Sequence, residues 1–175
     1  MKILLKLNIL FIVLLLFASC NSFKPLKIKK DLKDWIPYQL GDKHFFTNDL
    51  LTDFVEVTAL SDEVGQRSME WPKHFQEEVH LQIEGSQIDL KVILSDHCII
   101  FSGKDSLGQG PMYIQTYYFK SKNTVNGITF HEKLQVGSTE YNNILVSEQE
   151  GKVIYYGKGL GLVGYEINDE LYTRQ

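Results

Sequence analysis

From about residue 35 onward, apolar and polar residues alternate with a period of two, which is the repeat of a half-buried β-strand. The clearest case is VHLQIEGSQIDLKVIL at residues 79–94, where Gly85-Ser86 predicts a two-residue type II′ turn. This turn would place three apolar pairs on one face: Val79–Val92, Leu81–Leu90 and Ile83–Ile88. We therefore predict a β-hairpin at this position, with polar pairs on the opposite face.

Asn126-Gly127 is the sequence signal of a type I′ turn and predicts a second hairpin. Its expected pairs are Val125–Ile128, Asn123–Phe130 and Phe119–Leu134. Further strands are predicted at Phe54–Leu60, Cys98–Ser102, Tyr113–Phe119, Ile144–Ser147, Val153–Tyr156 and Leu162–Ile167. One short helix is predicted at Trp71–Glu78, because Pro72 suits a first helical turn. The expected fold is mainly β: a single curved antiparallel sheet or partly open barrel of eight to ten strands with one short helix.

Two of the predicted strands, His97–Phe101 and Tyr113–Phe119, carry bulky apolar or aromatic residues on both faces. A strand that is apolar on both sides is expected to be covered on both sides. The cover is a second sheet, the short helix, or a ligand in the concavity of a curved sheet. A ligand site of this kind would use six aromatic side chains: Trp71, Phe101, Tyr113, Tyr117, Phe119 and Phe130.

The first twenty residues form an export signal. Lys2 and Lys6 precede the apolar run Ile9–Phe17, which is too short to cross a bilayer as a helix. The following Ala18-Ser19-Cys20 resembles the bacterial lipobox L-[AS]-[GA]-C, in the looser form of Bacteroidota with Phe17 in place of leucine. The resemblance implies that Cys20 is acylated and anchors the protein to a membrane without a spanning segment. The alternative is an ordinary secretory peptide with a bystander cysteine.

These signals divide the chain into a signal peptide at residues 1–19, a lipidated tether at 20–34 and a β domain at 35–175. Asn21 follows the cysteine in place of the aspartate that resembles an inner-membrane retention signal. The expected location is therefore the outer membrane, on its periplasmic side. The basic stretch Lys24–Lys33 is either a solvated tether or a contact with anionic lipid head groups.

The composition limits the kinds of partner that the protein is expected to bind. The 175 residues include 18 basic and 22 acidic side chains, a net charge of −4, which gives no electrostatic footprint for nucleic acid. Once Cys20 is acylated, Cys98 is the only other cysteine, so no intrachain disulfide can form and packing must stabilise the domain. Cys98 lies in an apolar stretch, which favours a buried, inert thiol.

Three local patterns contain the residue types of a cofactor, metal or catalytic site, but their sequence context does not support those functions. Gly159, Gly161 and Gly164 spell G-x-G-x-x-G, but too few residues follow for a dinucleotide site, and a glycine-interrupted strand fits better. His74 and His80 flank two glutamates without the spacing of a metal site. In Asp96-His97-Cys98, neighbours on a strand point to opposite faces, so His97 cannot activate the thiol locally. We predict no catalytic residue, no metal and no cofactor.

The glycine-rich segment YYGKGLGLVGYEI, residues 155–167, resembles the Y-[AF]-x-G-[VIL]-G-L-V-x-[YFR]-E strand that closes many small Bacteroidota lipoproteins. DWIPYQLGDKHFF, residues 34–46, is similar to the start of such domains. The resemblance implies a curved antiparallel sheet, in some members resembling the half-barrel of lipoprotein carriers that ferry acyl chains across the periplasm. It implies fold more than activity.

The sequence leaves three functional hypotheses for a lipid-anchored envelope protein. One is a non-covalent protein-interaction module whose concave face is filled by its own side chains, which predicts no cavity. Another is a binder or carrier of a hydrophobic ligand or acyl chain, which predicts an apolar cavity of several hundred Å³. The last is a hydrolase of envelope polymers without a local motif, which predicts clustered carboxylates in a cleft.

Overall fold

The computed structural model describes residues 25–48, 50–66, 75–103, 113–125, 127–149 and 151–175. They form one short helix, α1 (Lys30–Lys33), and twelve strands. The strands are β1 (Lys43–Thr47), β2 (Thr52–Gln66), β3 (Phe75–Gly85), β4 (Asp89–Leu94), β5 (Cys98–Gly103), β6 (Tyr113–Tyr118), β7 (Asn123–Val125), β8 (Ile128–Val136), β9 (Thr139–Gln149), β10 (Lys152–Gly157), β11 (Gly161–Ile167) and β12 (Glu170–Arg174). The signal peptide and Cys20 lie outside the described residues.

All twelve strands belong to one antiparallel sheet, which confirms the predicted fold with two strands more than expected. Neighbours in the sheet are neighbours in the chain, and β1 also pairs with β12 through Phe46–Arg174 and Thr47–Thr173. The sheet is therefore nearly closed into a barrel. The exception is the gap between β7 and β8, which do not pair with each other and which we call the seam.

Because the strands alternate in direction, the turns fall into two sets at opposite ends of the barrel. The β2–β3, β4–β5, β6–β7, β8–β9 and β10–β11 connections lie at one end, which we call the proximal end. Residues 25–26 join the proximal tip of β3, where Leu26 N–H donates to the Phe75 carbonyl at 3.0 Å. The chain therefore enters the domain at its proximal end.

The hairpin predicted at residues 79–94 forms, but its register differs from the prediction. The observed pairs are Val79–Leu94, Leu81–Val92 and Ile83–Leu90, a shift of two positions on β4. Since the side-chain period is two, the shift leaves the same apolar face buried. Gly85 ends β3 and has no positive φ; a Cβ at this position would lie 2.7 Å from Val55 Cγ1 on β2. Close packing against β2, and not a type II′ turn, is what Gly85 provides.

The prediction of a hairpin at Asn126-Gly127 is wrong. The chain does turn there, and Gly127 has a φ of +88°, but β7 pairs with β6 while β8 pairs with β9. Ile128 faces Ser147 of β9, not Val125. β8 pairs with β9 at eight positions, and its opposite edge is not paired with the three-residue strand β7.

The prediction of a helix at Trp71–Glu78 is also wrong for the part of this segment that the structure describes. Phe75–Glu78 form the start of β3 and pair with β2 as far as Gln66; residues 71–74 lie outside the described residues. The helix that does occur is the single turn α1, inside the segment predicted as a tether. Ile28 and Leu32 are buried against the sheet, so ordered packing begins before residue 35. No helix among the described residues is long and apolar enough to cross a membrane.

The main core fills the barrel with one face of each long strand and with the segment that follows α1. Its fully buried members include Phe46, Leu81, Leu90, Ile99, Phe101, Ile128, Leu145 and Tyr156. The prediction that Tyr113–Phe119 is covered on both faces is wrong, because the outward Ile114 is exposed. A small second cluster around Ile144, Val146 and Val163 buries the outer face of β9 and β11.

Glu77 of β3 binds one residue before α1 and one residue of α1 itself. Its carboxylate accepts from Lys33 Nζ at 3.0 Å and from Ile28 N–H at 2.9 Å. The Lys33 hydrogen bond, with a smaller contribution from the Ile28 amide, lowers the pKa of Glu77 below its ordinary value. The carboxylate is therefore charged at neutral pH, and both bonds hold the incoming chain at the proximal end.

Candidate functional site

A cleft of about 1110 Å³ lies at the proximal end. One wall comes from β6 and the turn after it, and the facing wall comes from β8 and β9. α1 and Trp35 line a third side. We call this the seam cleft, because it occupies the gap that the unpaired strands leave open.

Four aromatic rings form a continuous row along the cleft. Phe130 on β8 stacks on Tyr117 of β6, with ring centroids 5.8 Å apart and planes 23° apart. Tyr117 then meets Phe119 edge to face at 5.7 Å, and Phe119 lies 6.1 Å from Trp35. We call these four residues the aromatic row. The Phe130–Tyr117 stack spans the seam where backbone pairing is absent, and half-buried Phe119 and Phe130 present apolar surface to the cleft.

Polar contacts tie the two sides of the seam together at the distal end. Gln115 of β6 is buried, and its Nε2 donates to the Glu148 carbonyl of β9 at 2.8 Å. Its Oε1 accepts from the Ser147 hydroxyl. Gly127 accepts from Glu148 N–H at 3.3 Å close by. The seam is therefore fastened distally and lined by aromatic rings proximally, which leaves a cleft that opens toward the proximal end.

Trp35 is held in the cleft by the turn between β10 and β11. The Tyr156 hydroxyl donates to the Trp35 carbonyl at 2.7 Å, and Gly159 N–H donates to the Asp34 carbonyl at 2.7 Å. Leu162 N–H donates to the Tyr38 hydroxyl at 2.6 Å. All three bonds are buried or backbone contacts between distant parts of the chain, so the segment after α1 has a fixed position.

The buried tyrosines predict a steep loss of stability in alkali. Desolvation raises the pKa of Tyr38 to about 12 and holds that of Tyr156 well above its usual 10, so the folded protein keeps both phenols neutral. A pKa raised by folding contributes stability that is complete below pH 10 and is lost as the pH rises toward 12. We expect tyrosinate absorbance at 295 nm and loss of near-ultraviolet circular dichroism to appear in one cooperative transition above pH 10. Gradual ionisation with an unchanged dichroism spectrum would contradict the burial of these phenols.

The structure brings together three of the six aromatic residues proposed from the sequence. Tyr117, Phe119 and Phe130 line the seam cleft. Phe101 does not: it is fully buried in the barrel, 5.2 Å from the Tyr156 ring. Tyr113 lies on β6 without a described side chain, and Trp71 lies outside the described residues. Sequence reasoning missed Trp35, which it placed at the start of the domain; its aromatic-Pro neighbourhood was the available signal.

The Asp96-His97-Cys98 segment forms the tight β4–β5 turn and does not have the geometry of a catalytic triad. Asp96 Oδ1 and Ser95 Oγ both approach the same ring nitrogen, His97 Nδ1, at 3.1 and 3.0 Å. A triad needs the acid and the nucleophile on opposite ring nitrogens. Ser95 is buried and also lies 3.4 Å from Cys98 Sγ. These contacts stabilise the turn, and His97 forms part of the cleft wall.

The remaining polar candidates lie apart from the cleft. His80 contacts Glu78 at 3.0 Å and Glu63 at 3.8 Å beside a depression of about 470 Å³ on the outside of the sheet. No group of three or more side chains suited to a metal occurs among the described residues. Gly159 lies in the β10–β11 turn, Gly161 begins β11 and Gly164 lies within it, so the G-x-G-x-x-G pattern opens no helix.

Comparisons with protein-family models, with curated proteins and with solved structures found no match. The functional inference therefore depends on the seam cleft and on the sequence.

Proposed function

We propose that this protein is a lipid-anchored cell-envelope protein that binds a hydrophobic ligand non-covalently in the seam cleft. The observation that carries the proposal is the aromatic row along a cleft of about 1110 Å³. Ligand pockets in proteins commonly enclose about 300 to 1,000 Å³ and combine apolar with polar side chains. The seam cleft is lined by five apolar or aromatic residues and eleven polar ones. A domain acting only through its outer surface would need no opening of this size.

The direction of the cleft fits a membrane-anchored binder. The chain enters the domain at the proximal end, and the seam cleft opens at the same end. An acylated Cys20 would lie only five residues before the first described residue, a span of at most about 18 Å. The cleft would then lie close to the bilayer surface, where a hydrophobic ligand can exchange with lipid. The periplasmic face of the outer membrane is the location we propose.

The anchor is tested separately from the cleft. Cells that express the full chain with Cys20→Ser are labelled with radioactive palmitate and fractionated beside cells that express the natural chain. The proposed acylation requires label and membrane association that the variant loses. Equal partition of the two proteins would refute the anchor and leave the cleft proposal standing.

Replacing the two half-buried rings of the cleft is expected to weaken ligand binding strongly. Phe119→Ala with Phe130→Ala removes apolar contact surface from both sides of the seam, and we expect at least tenfold weaker binding of a twelve-carbon fatty acid. Residues 21–175 contain every described strand and core residue and serve as the protein. Binding is measured by native mass spectrometry and by displacement of a neutral fluorescent probe.

The matched control is Phe45→Ala with Phe54→Ala. These two rings form an exposed cross-strand pair on β1 and β2, away from the cleft. The control should bind the fatty acid as the natural sequence does. Absence of any bound or exchanging lipid in the natural protein would contradict the ligand-binding proposal.

A second candidate, a protein-interaction module, is favoured by the surface around that control pair. Phe45 and Phe54 are 54% and 47% exposed, and Leu50 and Leu51 at the adjoining turn are 85% and 58% exposed. Clustered exposed apolar side chains commonly mark interaction surfaces. Crosslinking in cell envelopes with Leu50→Asp as the comparison would support this role if a defined partner were captured only by the natural sequence.

A further inference from the structure

Lysine side chains surround the aromatic row at the opening of the seam cleft. The five lysines that line the cleft are Lys29, Lys120, Lys122, Lys133 and Lys158. Three acidic residues accompany them: Asp31, Asp96 and Glu132. The whole chain has more acidic than basic residues, 22 against 18, so the cleft reverses the sign of the charge carried by the rest of the protein.

Most of this positive charge is not neutralised within the protein. Lys133 Nζ pairs with Glu140 Oε1 at 3.2 Å, whereas none of the other four cleft lysines forms an ion pair with a described residue. Of the acidic residues, Asp96 is already engaged with His97. The cleft therefore holds cationic side chains that are available to a ligand.

The cleft has a rim that carries three lysines and also Phe119, and strand walls that carry the Tyr117–Phe130 stack. Lys120 and Lys122 lie in the β6–β7 turn, and Lys158 lies in the β10–β11 turn, so all three are at the proximal rim. The Tyr117–Phe130 stack belongs to the strands themselves and reaches across the seam. A ligand that contacts both the rim lysines and the aromatic stack must have an apolar chain and a negatively charged end.

We propose that the ligand of the seam cleft is an amphiphile with an anionic head group, which the rim lysines bind while its chain lies along the aromatic row. This proposal rests on the proposed function and specifies its ligand class. A lysine ammonium attracts a carboxylate and a phosphate alike as a point charge, so the shared requirement is the anionic oxygen group. A neutral head group gains nothing from these lysines.

The test compares three ligands with the same twelve-carbon chain: dodecanoate, dodecyl phosphate and dodecanol. Each displaces a neutral fluorescent probe from residues 21–175 at low salt. We expect both anionic ligands to bind at least tenfold more tightly than dodecanol, and we expect added salt to reduce this ratio because exposed charges are screened. Tighter binding of dodecanoate would indicate a fatty acid site, whereas tighter binding of dodecyl phosphate would indicate a phospholipid-like site.

The test variant and its control each remove three lysine charges, but at different places on the protein. One carries Lys120→Gln, Lys122→Gln and Lys158→Gln; the control carries Lys43→Gln, Lys91→Gln and Lys152→Gln, all outside the cleft. The rim variant should lose most of the tenfold preference for the anionic ligands over dodecanol. The control should keep the preference.

The outcomes separate this inference from the proposed function. Equal affinity for dodecanol and dodecanoate would overturn the head-group proposal while leaving a hydrophobic ligand site intact. Failure of all three ligands to bind would overturn both. Displacement of dodecyl phosphate by excess inorganic phosphate alone would indicate a free-anion site and would also overturn the amphiphile proposal.

Discussion

Gly161→Ala is expected to destabilise the domain by about 3 kcal/mol. The residue has a φ of +74°, which costs an L-residue about 1–2 kcal/mol. An added Cβ would also overlap the hydroxyl end of the Tyr38 ring, which is buried and accepts the Leu162 N–H bond. Displacing that ring breaks the bond and its packing. Urea denaturation of residues 21–175 measures the loss.

Gly159→Ala is the matched control, because Gly159 has nearly the same φ of +76° but open space around the position of its Cβ. It should cost only the backbone term, about 1 kcal/mol. Equal losses for the two variants would show that Tyr38 does not require a glycine at position 161. Tyr38 and Trp35 belong to the same segment, which hydrogen bonds to β10 and β11 hold in position. Displacement of Tyr38 should therefore also move Trp35, so Gly161→Ala should weaken ligand binding more than Gly159→Ala does.

Asp53→Ala should cost about 3 kcal/mol through three lost hydrogen bonds. The Asp53 carboxylate is buried and accepts from the Tyr165 hydroxyl at 2.6 Å, from the Ser86 hydroxyl at 2.6 Å and from Ser86 N–H at 3.3 Å. Alanine leaves the buried Tyr165 hydroxyl without that acceptor, and an unsatisfied buried donor costs about 1–3 kcal/mol. Thermal and urea unfolding provide the measurement.

Asp62→Ala is the comparison for Asp53, since both residues lie on β2 and Asp62 is exposed. We expect a change within about 0.5 kcal/mol for this surface position. Asp53 lies near the distal turn, away from the seam cleft, so ligand affinity of the folded Asp53→Ala protein should be unchanged. A selective loss of binding would mean that the two ends of the barrel are coupled.

Strand positions and the mainly β fold were predictable because they depend on local alternation. The register of β3 against β4 was not, since two registers two residues apart bury the same apolar face. In the observed register β3 runs on to Gly85, which packs closely against Val55, thirty residues away in sequence. A local turn signal contains no information about that contact.

The seam cleft was only partly predictable for a related reason. Tyr117, Phe119 and Phe130 stand out as aromatic residues, and the sequence places all three near one expected hairpin. Their meeting point depends instead on the gap between β7 and β8, across which the Tyr117 and Phe130 rings stack. The rim lysines come from two separate turns and carry no common sequence signature.

Two segments that are distant in sequence, residues 34–46 and 155–167, are in contact in the structure. Residues 34–38 of the first segment bond to the β10–β11 region of the second through Asp34, Trp35 and Tyr38. The glycine at 161 leaves room for the Tyr38 ring, which gives a structural reason for a glycine at this point of the pattern. These two segments therefore form a packing unit that also positions one wall of the cleft.

Pairing of β1 with β12 has a consequence for the order of folding. The residues that join there, Phe46 with Arg174 and Thr47 with Thr173, are separated by almost the whole length of the domain. Contacts between distant residues close large loops and form late. A chain emerging from its N-terminus can build successive hairpins as they appear, but its first strand must wait for the last. Removal of the final six residues should therefore yield an unclosed sheet with an exposed β1 edge, a species prone to aggregation.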